Sequence, residues 1–268
     1  MRYIIERRGI CNRNDRPMQD TQPADLWSVS EFERAQAQSR SSSFNNLDGP
    51  TLLPTTLLAD LRRLDSFGQQ GDVLEVTAAC LRHHEPAMLC LELDGRVWPV
   101  TLFPAQALYH SPRDLAGASA TTLARLSLLR VEPPGVRPPG HWMHERIAEA
   151  EHYRPLEPLT WALAMDGPRS GLLAEISGNM AYRALKNPAD EGFALGGAMR
   201  SAAQRLRRET VSLRTICSWP GMDAERASRL LNALYLQASL LATRDHPAAR
   251  DNKAGGWLDK LRWPKRGQ

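Results

Sequence analysis

Two apolar runs joined by Asp94-Gly95 constrain the fold of this chain more than any other feature. The stretch AMLCLELDGRVWPVTLF, residues 87–103, is apolar on both sides of that dipeptide. A two-residue Asp-Gly loop between such runs is typical of a β-hairpin. Pairing through the loop sets Leu91 opposite Trp98, so the register that the turn dictates agrees with the apolar alternation. The chain is therefore expected to contain an antiparallel sheet.

A proline in the second strand indicates where this sheet ends. In the register above, Pro99 lies opposite Cys90. Proline is confined to edge strands and bulges because it cannot donate a hydrogen bond to a ladder. Its missing N–H would point away from the first strand, so we expect the second strand to be an edge. The hairpin has a structural role in this interpretation.

Helical patterns lie on both sides of the hairpin, so we predict the α+β class. Four leucines between residues 55 and 68 fall on one helical face, and residues 72–85 fit a helix better than a strand. Residues 120–132 predict a further helix that runs into a short strand. Together with the hairpin, these segments make residues 51–132 a small α/β domain.

A run of four prolines and two glycines at residues 133–140 predicts a domain boundary. Such a composition is typical of a semi-rigid spacer. A mainly helical domain is expected to follow at residues 141–250. Its first helices are predicted at residues 141–155, 157–167 and 170–185.

Both ends of the chain are polar. Residues 1–50 offer too little apolar surface to offset the entropy of ordering, so we predict a disordered region. Within it, Leu26–Phe32 fits either a helical turn docked on the body or, preferably, a transiently helical tail. Residues 251–268 form a basic tail that is either frayed or a weak anchor for a protein groove or an anionic membrane. The anchoring side chains would be Trp257, Leu258, Leu261 and Trp263.

Composition argues against several classes of protein. No run approaches the roughly 18 apolar residues of a membrane span. The apolar patch near the N-terminus has four residues, too few for a signal peptide, so a cytoplasmic location is expected. The cysteines have no close spacing, which argues for buried free thiols rather than disulfides or a zinc knuckle. They are Cys11, Cys80, Cys90 and Cys217.

Known catalytic and cofactor motifs are missing from the sequence. It has no GxSxG, GxxxxGK[ST], HExxH or DxDxDG pattern, and no GxGxxG after a strand. On a helix, His141, His144 and His152 would share one face, but the segment is predicted to be solvated and a metal site needs further ligands. We therefore assign no catalytic, cofactor or metal residue.

The positive charge is concentrated in the C-terminal third. The chain has a net charge of +4, and residues 200–250 hold nine arginines against four acidic residues. Such a surface attracts nucleic acid, acidic proteins or anionic lipid. A solvated basic face without a partner is the alternative.

Residues 193–246 predict a helix-turn-helix arrangement. The elements are a helix at 195–208, a short apolar segment ended by Pro220-Gly221, a helix at 223–237 capped by Asp223, and a strand at 240–243. This order of elements resembles the winged-helix superfamily, in which the strand would be the first wing strand. The resemblance implies a module that commonly binds DNA through the second helix of the turn, and proteins are the other class of partner that we consider for it.

The helix at 223–237 presents a mixed face opposite its apolar stripe. Arg229 and Asn232 suit guanine and adenine respectively, whereas Glu225 and Leu236 are unfavourable beside phosphates. This face fits protein contact about as well as DNA. The candidate contact residues are Arg205, Arg208, Glu225, Arg226, Arg229, Asn232 and Leu236.

Three functional hypotheses follow. The favoured one is a non-catalytic regulatory or adaptor protein that binds a protein partner through residues 193–246. The second is a transcriptional regulator that binds double-stranded DNA through the helix at 223–237. The third is an enzyme of unknown reaction.

Overall fold

The computed structural model describes residues 26–41, 53–66 and 72–249, which form eight α-helices and two antiparallel sheets. This content agrees with the predicted α+β class. The helices are α1 (Val29–Ser41), α2 (Thr55–Ser66), α3 (Val73–His83), α4 (Ala120–Leu123), α5 (Leu156–Asp166), α6 (Gly197–Leu206), α7 (Leu213–Cys217) and α8 (Ala224–Leu236). The strands are β1 (Ala87–Leu93), β2 (Arg96–Phe103), β3 (Leu108–His110), β4 (Ser127–Glu132), β5 (Tyr153–Pro155), β6 (Ala181–Ala184), β7 (Val211–Ser212) and β8 (Leu240–Thr243).

β1 and β2 form the predicted hairpin in the predicted register. Leu91 pairs with Trp98, and φ is 54° at Asp94 and 72° at Gly95. Positive φ at both central residues is what a two-residue turn that matches the strand twist requires. The hairpin lies inside a five-stranded sheet of order β4-β1-β2-β3-β5.

β2 is not the sheet edge that its proline predicts. β3 pairs with the end of β2 from Thr101 onward. At the start of β2, the Val97 N–H donates to the Trp27 carbonyl at 2.9 Å. Pro99 lies between these two contacts, where the described residues offer β2 no partner on that side. A local break in pairing therefore accommodates the missing N–H.

Part of the region predicted to be disordered is ordered. Leu26 is buried in the core, and α1 begins three residues later. Ser28 Oγ accepts from the Glu31 N–H at 3.3 Å, and the Glu31 carboxylate accepts from the Ser28 N–H at 2.8 Å, which is a capping box. The Arg96 side chain also donates to the Leu26 carbonyl. The prediction was wrong for residues 26–41 because these anchors lie about seventy positions away in sequence; residues 1–25 and 42–50 lie outside the described residues.

The proline-rich segment 133–140 does not separate two independent sheets or cores. β5 follows that segment and pairs with β3, so the five-stranded sheet crosses the predicted boundary. α5 then packs against α3, α4 and β3 as well as against α8. Buried apolar side chains from Leu26 to Leu234 form one continuous cluster.

Two of the three helices predicted between residues 141 and 185 are absent. Residues 141–155 form short 3-10 turns and β5, and residues 170–185 form a 3-10 turn and β6. The Tyr153 hydroxyl holds the first segment by donating to the Arg137 carbonyl at 2.5 Å. In the second, Gly178 has a φ of 88°, which a helix does not allow. The middle prediction corresponds to α5.

The C-terminal unit, residues 181–249, contains the elements β6, α6, β7, α7, α8 and β8 in that order. Asp223 caps α8 by accepting from the Arg226 N–H at 2.7 Å, as predicted. β8 forms at the predicted residues, but its partner is β6, which precedes α6, and the sheet order is β7-β6-β8. Residues 244–249 form bends and a 3-10 turn, so up to Ala249 no second wing strand follows β8.

Candidate partner-binding surface

α8, the helix predicted to meet a partner, is packed on more than one side. It contacts α5, α6, α7 and β8. Its polar side chains reach the strap, which we define as residues 167–176 between α5 and β6. The predicted apolar stripe is fully buried, as expected, and consists of Ala227, Leu230, Leu231 and Leu234.

Asn232 is an internal residue, contrary to the prediction that it lies on an exposed face. Its side chain has a relative exposure of 0%. Oδ1 accepts from the Leu173 N–H at 2.9 Å, and Nδ2 donates to the Gly171 carbonyl at 2.9 Å. Buried polar groups need such partners, so this amide holds the strap on α8.

Arg229 is likewise turned into the protein. Nη1 donates to the carbonyls of Met165 at 2.7 Å and Gly167 at 3.0 Å, and Nε donates to Glu225 Oε1 at 2.9 Å. A cation at the end of α5 satisfies its last carbonyls and its dipole. Arg229 therefore contacts α5 and Glu225, while the Glu225 side chain itself remains 55% exposed.

The other candidate residues are dispersed. Arg205 pairs with Glu209 at 3.0 Å, and its guanidinium lies 4.7 Å above the ring of buried Trp219. Arg226 is exposed but donates to the carbonyl of Gly221 at 2.7 Å. Arg208 is exposed, while half-buried Leu236 packs on the core. The structure does not bring the seven predicted residues together as one surface.

Sequence reasoning missed the ion pairs that fasten the strap to α3. Arg169, only 10% exposed, contacts Asp72 and lies 2.7 Å from Glu75, which is 2% exposed. Glu75 also accepts from the Ala174 N–H at 2.7 Å. Burial raises the pKa of Glu75, opposed by that N–H and by the charge of Arg169. Asp72 was recognised only as the opening residue of α3, and nothing local marked Arg169.

A charged cleft of about 50 Å³ lies beside these ion pairs. Its Arg82 bridges Asp60 at 2.5 Å and Glu175 at 2.7 Å, and His83 lies 2.8 Å from the same Asp60. Acidic and basic side chains here pair with one another, so the cleft links α2, α3 and the strap. We assign it a structural role.

The sheet face of the C-terminal unit is a different case. We give this name to Arg183, Leu185 and Leu241. Arg183 and Leu241 are directly paired across β6 and β8, and Leu185 and Leu241 are 55% and 47% exposed. No carboxylate of the described residues forms an ion pair with Arg183. Exposed leucines beside an unmatched cation are a feature that the fold itself does not need.

A second exposed feature is the basic cleft at the end of α6. It has a volume of about 440 Å³ and is lined by Asn187, Gln204, Arg207 and Arg208. All four lining side chains are polar and none is acidic. Arg208 is the one predicted contact residue that lies in it.

The histidines considered as metal ligands do not assemble as predicted for a helix. Among the described residues, Glu149, Glu151 and His152 bring their ligand atoms within 4.8 Å of one another, without His141 or His144. Both glutamates are exposed, and exposed acidic groups are common without a metal. We assign no ion to this cluster.

The cysteines that the structure describes are free. Cys80 and Cys90 are buried and Cys217 is half-buried. Burial raises the pKa of the Cys80 and Cys90 thiols to about 12. This agrees with the prediction of free thiols, while Cys11 lies outside the described residues.

No helix in the described ranges could cross a bilayer: the longest has 13 residues, against about 20 for a span. The tail proposed as an anchor, with Trp257, Leu258, Leu261 and Trp263, lies outside those ranges. Comparison with protein-family models, curated proteins and solved structures gave no match for this chain.

Proposed function

We propose that this protein is a non-catalytic regulatory or adaptor protein whose C-terminal unit binds a protein partner. In this proposal the unit is a winged-helix-like module in which β6 takes the place of a wing strand. The observation that carries the proposal is the sheet face, where Leu185 and Leu241 are exposed beside Arg183.

The chemistry of the sheet face defines the partner. Exposed apolar side chains grouped on one surface favour a protein contact. Arg183 and the excess of arginine over acidic residues at 200–250 favour a partner with acidic groups. We therefore expect a protein segment with an apolar side chain flanked by aspartate or glutamate.

Reading of DNA by the helix at 223–237 has less support. That mechanism needs Arg229 and Asn232 in contact with base edges. Both side chains instead hold backbone groups of α5 and the strap. Entry of α8 into a major groove would break those hydrogen bonds.

The proposal is tested by quantitative capture from a native lysate with three forms of the full chain. These are the wild type, the double variant Leu185→Ser/Leu241→Ser, and the control Leu129→Ser, which removes an exposed leucine from β4. A captured protein is identified, purified and titrated against each form by calorimetry. We expect the double variant to weaken binding by at least tenfold and the control to leave it unchanged.

Two outcomes would contradict the proposal. One is a partner that binds all three forms equally, which would remove the sheet face from the interface. The other is salt-dependent binding of random duplex DNA that Arg183→Gln and the leucine variants leave intact while Arg229→Ala abolishes it, since that pattern belongs to a DNA reader.

A further inference from the structure

The basic cleft holds two guanidinium groups, of which one has no charge partner among the described residues and the other has only a distant, exposed one. The side chain of Arg208 forms no ion pair or hydrogen bond with them. Arg207 has Asp190 at 4.0 Å, and 70% of that carboxylate side chain is exposed. An ion pair this long and this solvated contributes little. Both arginines therefore keep most of their capacity to bind an anion.

Other cations around the cleft already have partners. Lys186 lies 2.7 Å from Glu191, and Arg205 lies 3.0 Å from Glu209. The weakly paired cation is Arg207 and the unpaired one is Arg208, and both follow the last residue of α6.

The donor groups of the cleft match a phosphate better than a carboxylate. Each guanidinium offers five N–H groups in a planar fork, and a carboxylate, with two oxygens and one charge, satisfies one fork. A phosphate monoester has three terminal oxygens and about −1.5 to −2 charge at pH 7, so it can accept from both. Gln204 lies four residues before Arg208 and brings a further carboxamide. We propose that the basic cleft formed by Asn187, Gln204, Arg207 and Arg208 binds a phosphate group.

The carbonyl end of α6 opposes an anion, but it is the weaker effect. A helix C-terminus carries about half of a negative elementary charge, whereas Arg208 keeps a full positive charge and Arg207 shares its charge only with the exposed Asp190 at 4.0 Å. The Arg205 carbonyl also accepts from the N–H groups of Arg208 at 2.9 Å and Glu209 at 3.0 Å. This reduces the partial charge that an incoming phosphate would meet.

The cleft is close to the sheet face along the chain. Leu185 and Asn187 are two residues apart, which places their Cα atoms within about 7 Å. A protein segment that covers Leu185 would therefore extend to the cleft. We infer that the phosphate is carried by a phosphorylated side chain of the protein partner, and this source rests on the proposed function. The alternative source is free inorganic phosphate.

The experiment is a titration of the full-length, isotope-labelled protein followed by amide NMR shifts. The probes are inorganic phosphate and O-phosphoserine, with acetate at matched ionic strength as the control anion. We expect saturable shifts centred on residues 187 and 204–208 with both phosphates, and at least tenfold weaker binding of acetate. Tighter binding of O-phosphoserine than of inorganic phosphate identifies a modified side chain as the source, and the reverse order identifies the free ion.

Matched variants separate a built site from general attraction. Arg208→Gln removes a charge inside the cleft. Arg214→Gln removes one from an exposed arginine on α7 that has no ion pair with the described residues. We expect Arg208→Gln to raise the Kd for phosphate by about tenfold and Arg214→Gln to change it less than twofold. Equal losses in both variants, shifts centred elsewhere, or no saturation would overturn the proposal.

Failure of this inference can be told apart from failure of the proposed function. The phosphate titration needs no partner, and the leucine variants leave the cleft residues in place. If the protein binds phosphate saturably but Leu185→Ser/Leu241→Ser does not weaken binding of the captured partner, the phosphate site is supported and the adaptor role of the sheet face is contradicted. If the leucine variants lose partner binding but the protein binds no phosphate, the adaptor role is supported and the phosphate site is contradicted.

Discussion

Arg169 Nη2 lies 2.7 Å from Glu75 Oε1, and these two buried side chains join the strap to α3. The same strap is bonded to α8 through Asn232. One short segment therefore connects α3, which packs against α5, to α8 of the C-terminal unit. Arg229 and Asn232 of α8 are hydrogen-bonded to backbone groups of α5 and the strap, whereas Glu225 and Arg226 of the same helix remain exposed.

Arg169→Met is expected to destabilise the protein by about 3–5 kcal/mol, since it leaves Glu75 buried without its cation. The free energy of unfolding in urea, followed by tryptophan fluorescence, measures the effect. The double variant Arg169→Met/Glu75→Leu should recover part of the loss because the fully buried charge of Glu75 is removed, whereas Asp72 still lacks its cation. Arg125→Met is the control, because its ion pair with Asp94 is largely exposed and contributes about 1 kcal/mol or less; similar losses in both single variants would contradict the role of Arg169.

Asn232→Ala is expected to cost about 2–3 kcal/mol, because the buried N–H of Leu173 loses its acceptor. The strap should also exchange its amide hydrogens faster than wild type, while β1 should not. Asn179→Ala, at an exposed asparagine, should stay within about 0.5 kcal/mol of wild type. Unchanged protection of the strap in Asn232→Ala would show that other contacts hold it.

Gly221→Ala should destabilise the C-terminal unit more than a left-handed backbone position alone explains. Gly221 has a φ of 74°, and an added Cβ would lie 2.8 Å from Ala198 Cβ. Gly192 has a φ of 86° with open space around it. Gly192→Ala therefore measures the cost of placing a Cβ on a left-handed backbone without a clash, which is about 1–2 kcal/mol of unfolding free energy. We expect a lower melting temperature for Gly221→Ala than for Gly192→Ala, and equal values would mean that α6 moves aside freely.

His110 should make the protein less stable as pH falls through the mildly acidic range. Burial, aided by the charges of His152 and Arg154, lowers its pKa from 6.5 to about 4. Between these values the unfolded chain binds a proton that the folded protein does not, so its contribution is complete above about pH 6.5 and is lost by about pH 4. The loss is at most about 3 kcal/mol.

Urea unfolding of His110→Gln at a series of pH values checks this expectation. The variant should flatten the pH dependence of the unfolding free energy between about pH 6.5 and pH 4. His144→Gln, at an exposed histidine, should keep the wild-type slope. A wild-type slope in His110→Gln would assign the acid sensitivity to other groups.

Features that depend on neighbouring residues were predictable from the chain. The Asp94-Gly95 turn set the hairpin register, and Asp223 capped α8 where the sequence placed it. The apolar spacing of α8 identified its buried stripe. Turn geometry, caps and helical periodicity act over four residues or fewer, so the information is local.

Features that depend on residues distant in the sequence could not be predicted from the chain. Pro99 indicated a gap in strand pairing. Only the structure showed that β3 pairs with β2 and that the Trp27 carbonyl accepts from Val97, so that β2 lies inside the sheet. The pattern at 141–155 allowed a helix, yet Tyr153 joins β3 instead. The sheet face and the basic cleft likewise combine residues from separate elements, and the sequence singled out Arg208 alone among them.

The sequence by itself determined an α+β protein with a central hairpin, the C-terminal helices followed by the strand β8, and a basic C-terminal third. The tertiary structure decided which polar side chains are available. Arg229 and Asn232 suit DNA bases by chemical type, but their donors and acceptors serve backbone groups about 60 residues away. Residue type defines what a side chain can bond, whereas the packing of α5 and the strap against α8 defines what it does bond.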